Sequence, residues 1–326
     1  MANQRLNKYL GRYLSDAPQS FIYKMLRKKN ITLNNNKAIG TEILQQSDVV
    51  KLFISDETIR KFQRQVNNNF KNIPVNLNIA YEDENILVVI KPKGQLSHPN
   101  INVSSLNDNK DSSLIYNILS YLKHKGEYNS QLFTPALANR LDRNTTGLII
   151  CGKNLGALQC LNKMIREKQV DKHYLAIVLG KIEKKGTIKS YFKKDSEKNT
   201  VKILHEKPQL ENGVSEVITN YEPIKTYKNL DSEFTYIKLH LVTGKTHQLR
   251  AHMAYINHPI LGDPKYGSDK HNKWAKNKFK INSQLLHATS IYFKEVFPPL
   301  SYLKGKKIIS QPTTFTEVQQ YFKNKG

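Results

Sequence analysis

Asp142 stands between two arginines, Arg140 and Arg143, in the stretch Ala138-Asn139-Arg140-Leu141-Asp142-Arg143-Asn144-Thr145-Thr146-Gly147-Leu148-Ile149-Ile150. On an extended backbone the two-residue side-chain period sends Arg140 and Asp142 to the same side, where their pairing would keep the aspartate ionised. That is one way to present a nucleophilic carboxylate to a polyanionic substrate. Taken alone, an aspartate so placed serves a turn or an ion pair more often than a reaction. Tyr174 lies in Lys172-His173-Tyr174-Leu175-Ala176-Ile177-Val178, a strand apolar on both faces, and by periodicity alone it reads as a core tyrosine with its hydroxyl satisfied. The run Gly244-Lys245-Thr246-His247-Gln248-Leu249-Arg250 reads as a tight turn opening a helix, with Arg250 directed at a cleft. His247 and His252 are five residues apart, which on a helix turns them about 140° from one another, unlike the i, i+4 pair of zinc proteases. No metal is expected. Gly152-Lys153 lacks the preceding glycine of a phosphate-binding loop, so no nucleotide cofactor is expected either. Gly262-Asp263 and Tyr266-Gly267 read as turn residues.

The tripeptide Arg140-Leu141-Asp142, followed by Thr145-Thr146-Gly147 and an apolar strand, resembles the catalytic motif of the RluA-type pseudouridine synthases. Lys91-Pro92-Lys93-Gly94 upstream matches the same family, as do Thr243 to His252 and Gly262 to Gly267 downstream, all in order. The chain departs from the pattern at Asn139, where the family usually has histidine. The resemblance implies that Asp142 is the nucleophile or base that starts the reaction and that Arg250 is the cation paired with it. Arg140 is then free to contact phosphate or to fill the space of a flipped base. It further implies that Tyr174 stacks on that base, as an aromatic platform suits an extruded pyrimidine, and that Leu286 packs close to it. The implied activity is isomerisation of specific uridines in large-subunit (23S) ribosomal RNA. Two alternatives remain open: the same chemistry on transfer RNA, and a non-catalytic RNA-binding ribosome-assembly factor. A DNA-binding protein would suit the charge, but no helix-turn-helix or zinc pattern accompanies it.

The elements that must position these residues divide into two units. Residues 1–60 read as a small α/β domain in which Leu6, Tyr9, Leu10, Tyr13 and Leu14 share one helix face and Phe21, Ile22, Met25 and Leu26 another. Ile31 to Leu33 and Val49 to Ile54 read as strands around an Asn34-Asn35-Asn36 turn. This order resembles the αL RNA-binding domain of a ribosomal small-subunit protein, which implies that Arg27, Lys28 and Lys29 contact the sugar-phosphate backbone; Ser47-Asp48 stands where a Gly-Asp turn is common. Polar residues from about 56, and at 61–75, read as a linker. Residues 76–326 mix strands with helices. They predict an α+β domain on a mixed, largely antiparallel sheet with flanking helices and a central cleft, the pseudouridine synthase fold. In the helix from about Leu155 to Lys168, Leu158, Leu161 and Ile165 are expected inside, with Lys163 and Arg166 pointing elsewhere.

The 326 residues carry 51 Lys+Arg against 27 Asp+Glu, a formal net charge of +24, and such an excess draws a phosphate backbone by counterion release. A Lys- and Asn-rich composition bias explains part of the excess without accounting for so few acidic residues. No apolar run is long enough for a signal peptide or a membrane span, so a cytoplasmic protein that meets no membrane is expected; a monomer is expected as well. Cys151 and Cys160 cannot make a four-ligand zinc site by themselves and read as core residues.

Overall fold

The computed structural model describes residues 4–45, 47–62, 76–99, 113–128, 133–195, 200–204, 206, 214–229 and 232–323. Near the amino terminus, α1 (Leu6–Tyr13) and α2 (Gln19–Arg27) precede β1 (Ile31–Leu33), β2 (Asn36–Lys37) and β3 (Val50–Leu52), and α3 (Asp56–Phe62) follows. The strands form an antiparallel sheet in the order β2-β1-β3. Leu6, Leu10, Ile22, Met25, Leu26 and Ile31 close a core that belongs to these elements alone. A linker starting near residue 56 does not agree with the structure: Asp56–Phe62 is helical, its Phe62 ring lies 4.6 Å from that of Phe21, and Asp16 N–H donates to the Phe62 carbonyl. Asp56 and Glu57 in its first turn and Arg60 and Lys61 in its last suit the helix dipole, which explains a helix without an apolar stripe. The rest of the linker reading, 63–75, lies outside the described residues.

Beyond it, β4 (Ile79–Glu82) and β5 (Ile86–Lys91) lead to α4 (Leu114–His124), β6 (Ala136–Leu137) and β7 (Thr146–Gly152). After α5 (Leu155–Arg166) come β8 (Val170–Leu179), β9 (Gly186–Asp195), β10 (Thr200–Leu204), β11 (Val214–Asn229) and β12 (Ser232–Leu241). The chain continues through α6 (Gln248–Tyr255), α7 (Asp269–Phe279), β13 (Leu286–Phe293), β14 (Lys307–Ile309) and α8 (Thr316–Lys323). These strands make one sheet of 11, ordered β10-β9-β11-β12-β8-β13-β7-β5-β4, with β14 on β13 and β6 on β7. Every pairing is antiparallel except β13 with β7. The fold is therefore α+β on a mixed, largely antiparallel sheet.

Both faces of the sheet's centre are covered, which is why its strands read as continuous apolar runs. In β5, Leu87 and Val89 join Ile118 and Leu122 of α4 on one face, while Ile86 and Val88 join Leu161 and Met164 of α5 on the other. In β8, Tyr174, Ala176 and Val178 face the first side, and Leu175, Ile177 and Leu179 meet Ala275 of α7 and Val318 and Phe322 of α8. Helix α5 buries Ala157, Cys160, Leu161 and Met164; Leu158 and Ile165 are only half-buried. The helix is rotated from the orientation its leucines suggested. Lys163 covers the Phe297 ring, and Arg166 turns toward the cleft described next.

Candidate active site

The segment carrying Asp142 leaves β6 and enters β7, and five contacts fix its course. Asn139 accepts from Ile150 N–H at 2.8 Å through its amide oxygen, so the residue replacing the family's usual histidine ties the segment to β7. Leu141 N–H donates to Ser97 Oγ, whose hydroxyl donates back to the Leu141 carbonyl. Thr145 N–H closes a turn on the Asp142 carbonyl, and Gln284 holds the Thr145 hydroxyl at 3.1 Å. Thr146 Oγ1 meets His287 Nδ1 at 2.7 Å, where β7 begins its parallel pairing with β13. The two backbones come so close that a Cβ on Gly147 (φ 111°) would sit 2.3 Å from the Ala288 carbonyl oxygen.

Lys91, at the end of β5, is wholly buried beneath this segment and donates to the carbonyls of Pro92, Gln95 and Arg143 at 2.8, 2.9 and 2.9 Å. Burial pulls its pKa down to about 7, and the nearby Asp142 charge pulls the other way. Three acceptors match the three protons of an ammonium, so the geometry is that of the charged form.

Asp142 meets its cation across the cleft. Arg250, in the first turn of α6, donates from Nη1 to Asp142 Oδ2 at 2.9 Å. Its Nε and Nη2 grip Asp263 as a fork, at 2.6 and 2.9 Å. Asp263 is fully buried; burial raises its pKa, but the Arg250 bonds and charge and the backbone N–H groups of Lys265 and Tyr266 outweigh that and hold it low. His247 caps α6 in the left-handed region (φ 55°), with Nδ1 3.2 Å from Tyr266 Oη and Nε2 3.9 Å from Asp142 Oδ2. Burial lowers its pKa, partly offset by Asp142. His252 belongs elsewhere, between the hydroxyls of Ser190 and Thr219.

The extended-backbone pairing of Arg140 with Asp142 is not what forms. The segment is a loop rather than a strand, and Arg140 is exposed at the cleft's edge while Arg250 takes the carboxylate. Tyr174 projects from β8 into the same cleft, 5% exposed, and no group among the described residues hydrogen-bonds its hydroxyl. Burial, then the Asp142 charge, raise its pKa. Leu286, at the start of β13, completes the apolar wall. The cleft encloses about 980 Å³ and, among the described residues, is lined by eight Lys and Arg residues (Arg140, Arg143, Arg166, Lys168, Lys172, Lys245, Arg250 and Lys265) against a single carboxylate, Asp142. Such walls focus a positive field on whatever enters. Arg27, Lys28 and Lys29 are exposed at the end of α2 and do not line this cleft. The sequence offered Asp263 only as a turn residue, His247 only as half of a rejected metal pair and Lys91 only as part of a matching motif, and it gave none of them a place in the site. Their burial and partners are set by residues distant in sequence, which no spacing reveals.

A carboxylate held by a buried arginine, an aromatic side chain beside it and a cationic surround suit chemistry on a polyanionic substrate. Residues 85–255 match the RNA pseudouridylate synthase family, and the chain belongs to that family. It is 32% identical over 299 residues to ribosomal large subunit pseudouridine synthase C of Buchnera aphidicola subsp. Baizongia pistaciae, covering 89% of this chain and 85% of that one. It is likewise 32% identical over 264 residues to ribosomal large subunit pseudouridine synthase D of Borreliella burgdorferi, covering 79% and 75%. Among solved structures, human RNA pseudouridylate synthase domain containing 4 shares the fold with a TM-score of 0.57 at 19% identity, over 76% of this chain and 93% of that one.

Proposed function

We propose that this protein isomerises specific uridines of large-subunit ribosomal RNA to pseudouridine, in the cytoplasm and without a cofactor. The observation that carries the reading is the cleft: Asp142 locked on Arg250, Tyr174 and Leu286 beside it, and seven further Lys and Arg residues on its lining. In the reaction the bond from ribose C1′ to uracil N1 breaks and the ring turns while still bound. C1′ then bonds to C5; the C5 proton leaves, N1 gains one, and nothing is oxidised or reduced. Asp142 is the nucleophile or base that starts cleavage, and Arg250 holds its Oδ2 in place. Tyr174 and Leu286 support the turning ring, and Arg140 at the edge takes a phosphate or the vacated stack. The ribosomal target is supported by relatives named as ribosomal large-subunit synthases and by the basic end of α2 at Arg27, Lys28 and Lys29. Mapping pseudouridine in ribosomal and transfer RNA from cells with and without the protein tests both points. Loss of discrete large-subunit sites is expected; losses confined to transfer RNA would move the target, and no loss in either would end the reading.

A further inference from the structure

Lys172 lines the cleft two residues before Tyr174, on the same face of β8 by strand alternation. Its backbone pairs with β13, opposite Ile291. The side chain is partly buried, and its ammonium stands beside the turn that joins β12 to α6: a Cβ on Gly244 would lie 3.8 Å from Nζ. Burial lowers the Lys172 pKa, and no neighbouring carboxylate pulls it back. Among the described residues the ammonium has neither an ion pair nor a hydrogen bond, whereas Arg250 in the same cleft is held by two carboxylates.

A desolvated, uncompensated charge costs folding free energy unless a ligand of opposite sign completes it. Uracil is neutral, and its carbonyl oxygens offer only a dipole. The phosphodiesters are the anions that an RNA brings. We propose that Lys172 is a substrate-binding residue that takes a phosphodiester flanking the target uridine, so that backbone and base are held on one strand by Lys172 and Tyr174. This rests on the reading of the cleft as the RNA-modifying site.

The test pairs Lys172→Met with a chemically altered substrate. The probe is a synthetic stem-loop copied from a site found by the mapping experiment. It is made unmodified or with a single neutral methylphosphonate, placed in turn 5′ and 3′ of the target uridine. Lys172→Met should melt no lower than wild type, because an uncompensated charge is removed. It should bind the unmodified probe roughly tenfold more weakly, the worth of one charged hydrogen bond, with a salt slope smaller by about one. One of the two methylphosphonates should weaken wild type by a similar factor and leave the variant unaffected; Lys172→Arg should retain most affinity. Unchanged affinity and slope in Lys172→Met, or a fall in turnover at unchanged affinity, would overturn the proposal. Should the variant fail to fold, the two methylphosphonates on wild type decide it: equal affinity for all three probes overturns it. Wild-type turnover on the unmodified probe is read alongside, so that failure of the enzymatic reading shows separately from failure of the phosphate contact.

Discussion

Asp142 and Asp263 both hold Arg250, and their burial separates their roles. Asp263 is inaccessible and takes two of the arginine's donors, whereas the Asp142 side chain keeps 26% of its exposure and takes one. Asp263→Asn should therefore cost about 3 kcal/mol, the usual penalty for leaving one partner of a buried ion pair unmatched. It should also lower turnover by letting Arg250 swing. Asp142→Asn should leave unfolding within about 1 kcal/mol of wild type, as for a partly exposed pair, keep RNA affinity within a few-fold, and abolish product. Urea unfolding and a pseudouridine assay on both variants check the contrast. Asp263→Asn with normal stability and turnover, or Asp142→Asn with substantial turnover, would contradict it.

At the level of elements, the site depends on one strand pairing. β7 and β13 run parallel with Thr146 opposite His287 and Gly147 opposite Ala288, and the positive φ of Gly147 is part of that approach. Gly147→Ala should lose at least about 2 kcal/mol, since an L side chain there is strained as well as crowded. Activity should fall with it, because the Asp142 turn hangs from this junction; guanidinium unfolding reads the first effect. His287 and His252 hold their elements through hydroxyls on both ring nitrogens, and burial lowers each pKa from 6.5 to about 4. Between pH 6.5 and 4 the unfolded chain then binds more protons than the folded one, so stability falls as pH falls. The loss approaches roughly 3 kcal/mol for each histidine by pH 4. Unfolding midpoints at pH 7, 5.5 and 4.5 should decline steadily, and replacing His252 by Gln should flatten part of that slope.

For the molecule as a whole, the amino-terminal unit closes its own core and shares no strand with the large sheet. Removing residues 1–62 should leave the melting of the remainder cooperative. It should weaken binding to ribosomal RNA and reduce the slope of log affinity against log salt by about one for each phosphate that the unit neutralises. Arg27, Lys28 and Lys29, exposed at the end of α2, are the side chains expected to pair with those phosphates. Filter binding across a salt series checks it, and an unchanged slope with unchanged affinity would remove RNA binding from that unit.

The amino-acid sequence by itself determined the local facts. The helix faces at Leu6 to Leu14 and Phe21 to Leu26 and the doubly apolar strand around Tyr174 were legible in the local pattern, and Arg140-Leu141-Asp142 with its companion motifs announced the family. The far half of the sheet was harder to read. In β11 a register shift between Pro223 and Lys225 interrupts the alternation, and in β9 the buried Ser190, between Ile188 and Phe192 on the inward side, thins the apolar pattern. Partner choice was decided only by the tertiary structure. Asp142 pairs with a residue 108 positions away rather than with Arg140, two positions away, and Thr146 finds His287 across 141 residues. Short-range periodicity fixes which way a side chain leaves the backbone, but which charge meets it, and which charge is left unmet as at Lys172, depends on strands brought together from opposite ends of the chain.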